Sequence, residues 1–190
     1  YRPHLPWYVP KKYFDMYPIE DIELPILLEN DTADLGERAK ELISRGGNYH
    51  RNVVENGKWK EAIRGYLASI SYADAMVGRL IDNLNNSKYA QNTIVVISSD
   101  HGWQLGEKMH WRKFALWENV IRTLLMVKVP ENISSLKSGS QDGGEVNSLT
   151  SLLDIYPTLL ELANIKSETD LDGESLIPLL YNPELKTDRK

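Results

Sequence analysis

The stretch that most constrains this chain runs from Thr93 to Lys113, TIVVISSDHGWQLGEKMHWRK. It opens with five β-branched residues, Thr93-Ile94-Val95-Val96-Ile97. A short apolar run of this kind predicts a buried strand, of the sort found in parallel sheets. The run stops at Ser98-Ser99-Asp100-His101-Gly102. That places a carboxylate and an imidazole where the strand ends, the edge at which open α/β sheets bind ligands. Neighbouring side chains on a strand point to opposite faces, so Asp100 and His101 can converge only if the backbone leaves the extended form. Gly102 offers that freedom. A cationic patch follows, His110-Trp111-Arg112-Lys113. Two metal-ligating types followed by cations suit an anionic ester. The plainer alternative is an Asp capping the next turn beside a surface His.

The rest of the sequence agrees with an α/β layer. Trp59, Ile63, Tyr66, Leu67, Ile70, Ala73, Val77, Leu80, Ile81 and Leu84 recur at steps dominated by three and four. They predict an amphipathic helix over 58–85, roughly 40 Å long. A second strand is expected at 124–129, stopped by Pro130. Shorter helices are expected over 11–17, 34–44 and 151–163, the last starting late or kinking at Pro157. Residues 171–175 read as a turn before an apolar segment ending at Leu180, and 131–145 as a surface loop. The opening Tyr1–Pro10 is too rich in proline for a regular element.

Totals narrow the function classes. A length of 190 residues with 42% hydrophobic content fits one domain with a real core. A net charge of −5 argues against a nucleic-acid footprint. No apolar run reaches the roughly 20 residues of a membrane span. Cysteine is absent, which rules out disulfides, thiolate metal sites and a Cys nucleophile, and leaves the compartment open. The chain begins at Tyr1 without Met and reads as a processed or excised segment. Asn30, Asn85 and Asn132 each open a glycosylation sequon, a pattern common by chance.

Five residues are candidates for chemistry. Asp100 and His101 form a metal-ligand pair whose donor types favour Mn, Zn or Fe over Ca. Lys113 lies between aromatic residues, Trp111-Arg112-Lys113-Phe114, that can cover its stem and leave the ammonium to hold a sulfate or phosphate oxygen. His4 has its backbone fixed by Pro3 and Pro6, which suits a positioned acid or hydrogen-bond donor. His110 lines the same loop as Glu107 and Lys108, as a substrate contact or a solvated residue. Arg2 is a weaker anion ligand, and His50 has no supporting context.

Four segments together resemble the sulfatase family of the alkaline-phosphatase-like superfamily, and within it the iduronate-2-sulfatase type. They are Arg2-Pro3-His4-Leu5-Pro6 with Pro10-Lys11 and Tyr17-Pro18; Tyr66 to Tyr72 with Val77-Gly78-Arg79-Leu80; Ser99 to Trp103 with Leu105-Gly106-Glu107 and Trp111-Arg112-Lys113; and Leu153 to Leu159 with Asp172-Gly173. The third is the most specific, and all four stand in the family's order.

The resemblance implies an α/β fold holding part of an alkaline-phosphatase-like sheet with packed helices, lacking the N-terminal strands. Residues 1–190 would be the C-terminal part of one catalytic domain. It implies hydrolysis of a sulfate ester, leaning towards a sugar or glycan sulfate, with a divalent cation that is usually Ca²⁺. It also implies a formylglycine nucleophile made from Cys or Ser in a Cys/Ser-x-Pro-x-Arg motif. Asp100 and His101 resemble the family's metal ligands. Lys113 resembles the lysine on the sulfate and bridging oxygen, and His4 the histidine near the leaving group. A periplasmic, secreted or lysosomal setting goes with the family. The departures are specific. This chain holds no Cys and no Ser-x-Pro-x-Arg, so formylglycine is absent from it, and it has no counterpart of the family's early paired Asp ligands. Arg122-Thr123-Leu124-Leu125 stands where the family often has Arg-Val-Pro-Leu. The expectation is therefore a chain without turnover by itself. A phosphoesterase of the same superfamily and a non-catalytic anion- or glycan-binding module remain as alternatives.

Overall fold

The computed structural model describes residues 1–45, 47–130 and 143–189. The sequon at Asn132 and most of the expected 131–145 loop lie outside them. The described residues are α/β in class and divide into two compact units, Tyr1–Asn86 with His101–Thr123, and Ser87–Asp100 with Leu124–Lys190.

The first unit is built on helices α1 (Lys11–Phe14), α2 (Glu37–Arg45), α3 (Tyr49–Glu55) and α4 (Trp59–Asn85). Helix α4 begins and ends within a residue of the expected helix, because its apolar stripe holds its period throughout. Its N-terminal half carries the core: Ile63 is buried with Ile22 and Trp111, flanked by Trp7, Tyr17, Ile19, Val53, Trp59 and Leu67. Gly65 is buried on the same face. A Cβ there would sit 2.8 Å from the Trp7 ring, so the glycine makes room for the N-terminal segment. Further along the stripe Leu80 is 69% exposed.

The unit also holds a small antiparallel hairpin, β2 (Gln104–Leu105) with β3 (Trp111–Arg112). Two-residue strands have little stability of their own, and this hairpin is held from outside. The Trp59 indole donates to Leu105 O at 2.7 Å, and Gly106, at φ 130°, lies against the Trp59 ring. At the tip, Lys108 Nζ reaches Asp31 Oδ1 at 3.1 Å and Asp34 Oδ1 at 3.3 Å. Lys108 and Met109 both adopt left-handed backbone, with φ 52° and 55°. Helix α5 (Glu118–Ile121) follows.

In the second unit β1 (Val95–Ser98) pairs with β4 (Leu125–Lys128), with Val96 opposite Val127 and Ile97 opposite Met126. The pairing is antiparallel and β1 is only half-buried, which corrects the buried, parallel expectation. A β-branched run reports fitness for a pleated surface and is silent on the direction of the partner strand. The core of this unit is Leu162 and Ile177, covered by Ile94, Val129, Leu180 and Tyr181.

Ser151 and Asp154 form a reciprocal capping box ahead of α6 (Ile155–Leu162), in which Pro157 occupies the first turn and needs no hydrogen-bond donor. The buried Asp154 carboxylate also accepts from Glu174 N at 2.9 Å and from both Arg189 terminal nitrogens. Burial works to raise this carboxyl's pKa, but the bonds from Arg189, Glu174 N and Ser151 N outweigh it and hold it below the ordinary value. A Cβ at Gly173 would stand 2.1 Å from Leu153 O, which accounts for the glycine of the Asp172-Gly173 turn. Helix α7 (Ile177–Tyr181) closes the unit.

Candidate active site

Three expected site residues of the first unit converge, although His4 and Lys113 are 109 residues apart. His4 is set by a turn closed by its own N–H on Tyr1 O and by the Trp7 indole bonded to Pro3 O at 2.8 Å. His101 opens the segment after β1, and Lys113 follows β3. The Lys113 ammonium lies 2.7 Å from His101 Nε2 and 3.5 Å from His4 Nε2.

The backbone settles how these rings are protonated when neutral. His101 Nδ1 lies 2.9 Å from Gly102 O, and His4 Nδ1 lies 2.9 Å from Leu5 O. A carbonyl oxygen only accepts, so each Nδ1 carries the hydrogen and each Nε2 presents a lone pair towards Lys113. The ammonium is thereby oriented by two acceptors, and its third N–H is available to an oxyanion.

An aromatic wall backs the cluster. The Trp103 ring centre lies 5.4 Å from His4 and 6.2 Å from His101, and Tyr66 stacks on Trp103 at 6.0 Å. Trp103 is 8% exposed and its indole N–H has no hydrogen-bond partner among the described residues. Burial raises the Tyr66 phenol's pKa, so it stays protonated at neutral pH. Neither ring stands among the residues that the sequence offers as candidates for chemistry. The signal was position: Trp103 stands two residues after His101, and Tyr66 lies on the apolar stripe of α4.

Gly102 differs from expectation in its reason. A Cβ there would lie 2.0 Å from Asn119 O, while Gly102 N donates to Val120 O at 2.7 Å. The glycine permits a close approach of two backbones.

His110 lies apart from the His4–Lys113 contact. It was expected as a substrate contact or a solvated residue; it is 2% exposed, and among the described residues its buried Nε2 has no hydrogen-bond partner. Such burial does not suit direct contact with substrate. Burial, and then the nearby His50, lower its pKa. His50, which had no context in sequence, is itself buried and accepts a hydrogen bond from the Trp111 indole at 3.1 Å. Burial lowers its pKa as well.

Asp100 and His101 are the expected metal pair. Asp100 closes a segment of the second unit and His101 opens one of the first. His101 Nε2, the lone pair left for a cation, is the atom that Lys113 approaches. Among the described residues no three His, Asp or Glu side chains converge as a metal site requires. A divalent cation takes roughly four to eight ligands, so Asp100 and His101 do not fit a complete site.

Comparison with known proteins places the chain. The family model described as Sulfatase matches residues 1–165, and the chain belongs to the sulfatase family. A sulfatase of Formosa agariphila is 37% identical over 186 residues, covering 96% of this chain and 35% of that protein. Iduronate 2-sulfatase of Mus musculus is 28% identical over 192 residues, covering 87% and 35%. Among solved structures, the phosphonate monoester hydrolase SpPMH from Silicibacter pomeroyi superposes with a TM-score of 0.80 at 25% identity, over 100% of this chain and 37% of that one. BT4656 in complex with its substrate D-glucosamine-2-N,6-O-disulfate superposes with a TM-score of 0.61 at 28% identity, over 78% and 29%. The chain thus spans about a third of the length of the curated relatives it matches. Their folds are of the alkaline-phosphatase-like kind, as the motifs implied.

Proposed function

We propose that this chain is the C-terminal part of a sulfatase catalytic domain and supplies the cationic half of a sulfate-ester site. The observation that carries the reading is the approach of His4 and His101 to one ammonium, Lys113, from family motifs far apart in sequence. Lys113 offers its remaining N–H to a sulfate oxygen and neutralises charge that builds up as the ester bond breaks. His4, once protonated on Nε2, is the donor to the leaving alcohol. The resemblance alone supports Asp100 and His101 as donors towards a divalent cation, Ca²⁺ in most of the family, and His101 could serve there only once Lys113 leaves its Nε2. The reaction needs a nucleophile, and the family's formylglycine precursor is absent from this chain. The substrate class we favour is a sulfated sugar. The resemblance to the iduronate type supports it, as does the disulfated sugar bound by BT4656.

Two measurements test this. The purified chain is expected to give no turnover of an aryl sulfate above a buffer blank, since the covalent route is missing. Calorimetry is expected to show weak binding of glucosamine 6-sulfate that Lys113→Ala abolishes; binding that survives the substitution overturns the reading. The likeness to SpPMH favours a second reading, a phosphonate ester in the same cluster. Tighter binding of phenylphosphonate than of the sugar sulfate would select it.

A further inference from the structure

Arg112 stands immediately before Lys113 and takes no part in the cluster around it. Its guanidinium carbon lies 4.8 Å from the Tyr49 ring centre and 5.7 Å from that of Phe114. Both rings are more than 40% exposed, and Arg112 itself is half-buried. Among the described residues its buried Nε has no hydrogen-bond partner and the side chain forms no ion pair. The chain carries 27 acidic side chains against 22 basic ones, so a missing carboxylate is not a shortage of acids. Lys108, the other cation of this hairpin, is already matched by Asp31 and Asp34.

A guanidinium held over aromatic rings gives up water on its faces, yet its N–H donors lie in the plane, and with Nε buried the two terminal nitrogens are the donors left to a ligand. This is a pre-organised fork for an oxyanion. The backbone agrees: Arg112 has φ 75°, a left-handed conformation that a long side chain rarely adopts. Such strain persists where the surroundings over-determine it, and it gathers at ligand sites. Adjacent Cα atoms are about 3.8 Å apart, so the Arg112 and Lys113 side chains start one peptide from each other.

We propose that Arg112 is a second anion subsite, taking a carboxylate or a second sulfate on the sugar whose ester sulfate Lys113 holds. The inference rests on the sulfated-sugar reading above. The shared chemistry is an oxyanion with two oxygens that match the guanidinium fork.

Calorimetric titration of the chain with three ligands tests it: glucosamine 6-sulfate, glucosamine 2-N,6-O-disulfate and a 2-sulfated uronic acid. The wild-type chain is expected to bind at least one doubly anionic ligand about tenfold more tightly than the singly charged one, the scale of one charge-assisted contact. Whether the disulfate or the uronate gains identifies the second group. Arg112→Gln is expected to bring the affinities together. Arg112→Lys, which keeps the charge without the fork, is expected to keep part of the difference and serves if the Gln variant does not fold. Equal wild-type affinities, or a preference that survives Arg112→Gln, overturn the subsite while leaving the Lys113 reading intact. Binding that survives Lys113→Ala, or no binding of any ligand by the wild-type chain, overturns both.

Discussion

Gly102 and the two buried histidines carry the sharpest expectations for single residues. Alanine at Gly102 would drive its Cβ to 2.0 Å from Asn119 O, a backbone atom that cannot swing aside. We expect Gly102→Ala to cost about 2–3 kcal/mol, in the range of overpacked cores, read as a lower denaturation midpoint. An equal or higher midpoint would show that the two backbones separate freely. His50 and His110 have folded-state pKa values below the unfolded value of about 6.5. The unfolded chain therefore takes up protons first as the pH falls. Their contribution is complete above about pH 6.5 and is lost as the pH drops towards their folded values. Thermal melts between pH 7.5 and 5 should show a falling Tm, and His110→Gln should flatten the slope. A Tm that is level in the wild type over that range would contradict the burial of both rings.

At the scale of elements, the hairpin between β2 and β3 depends on its tip. Lys108 joins a strained backbone to an ion pair with Asp31 and Asp34, and the two effects can be separated. Lys108→Ala removes the pair and keeps the strain, whereas Lys108→Gly removes both. The expected order of Tm is wild type, then Gly, then Ala. If Ala melts above Gly, the left-handed backbone at 108 is not maintained by the fold.

The same hairpin shows what sequence could and could not reveal. Helix α4 was legible because its apolar pattern keeps period, strand β4 because a short apolar run ends at Pro130, and Pro157 and Gly173 carried recognisable turn chemistry. Helix α3 was missed because its one buried side chain, His50, counts as polar and leaves no stripe. The hairpin was missed because two-residue strands carry no periodic signal, and its restraints come from Trp59 and Asp31, far away in sequence. In the candidate site, His4, His101 and Lys113 were found as motif residues, but only the fold brings their nitrogens together. The burial of His110 was not legible, because residues next to a cationic loop look exposed when read in a line.

For the whole molecule, acid unfolding should proceed in two ranges. The histidine contribution fades first, below about pH 6.5. The Asp154 carboxyl, held below its ordinary value, keeps its contribution until the pH falls through its folded pKa, which lies below about 4. Asp154→Ala removes the capping box, the Glu174 contact and the Arg189 pair at once. We expect a cost of about 3 kcal/mol, as for other broken buried pairs, and loss of the lower-pH transition. Arg189→Ala leaves the two backbone donors in place and should cost distinctly less. Equal costs would mean that Arg189 alone holds the C-terminal segment.

The separation of His4 from Lys113 also has a meaning in time. During synthesis, 109 residues must be added after His4 before its partner exists. At ordinary elongation speeds that is a wait of roughly 5–20 s. Until then the N-terminal histidine has no ammonium to face. Every nascent chain passes through a stage in which α4 can coil fully while the His4–Lys113 cluster has not begun to form, and a chain ending between residues 86 and 112 keeps the helix without the cluster.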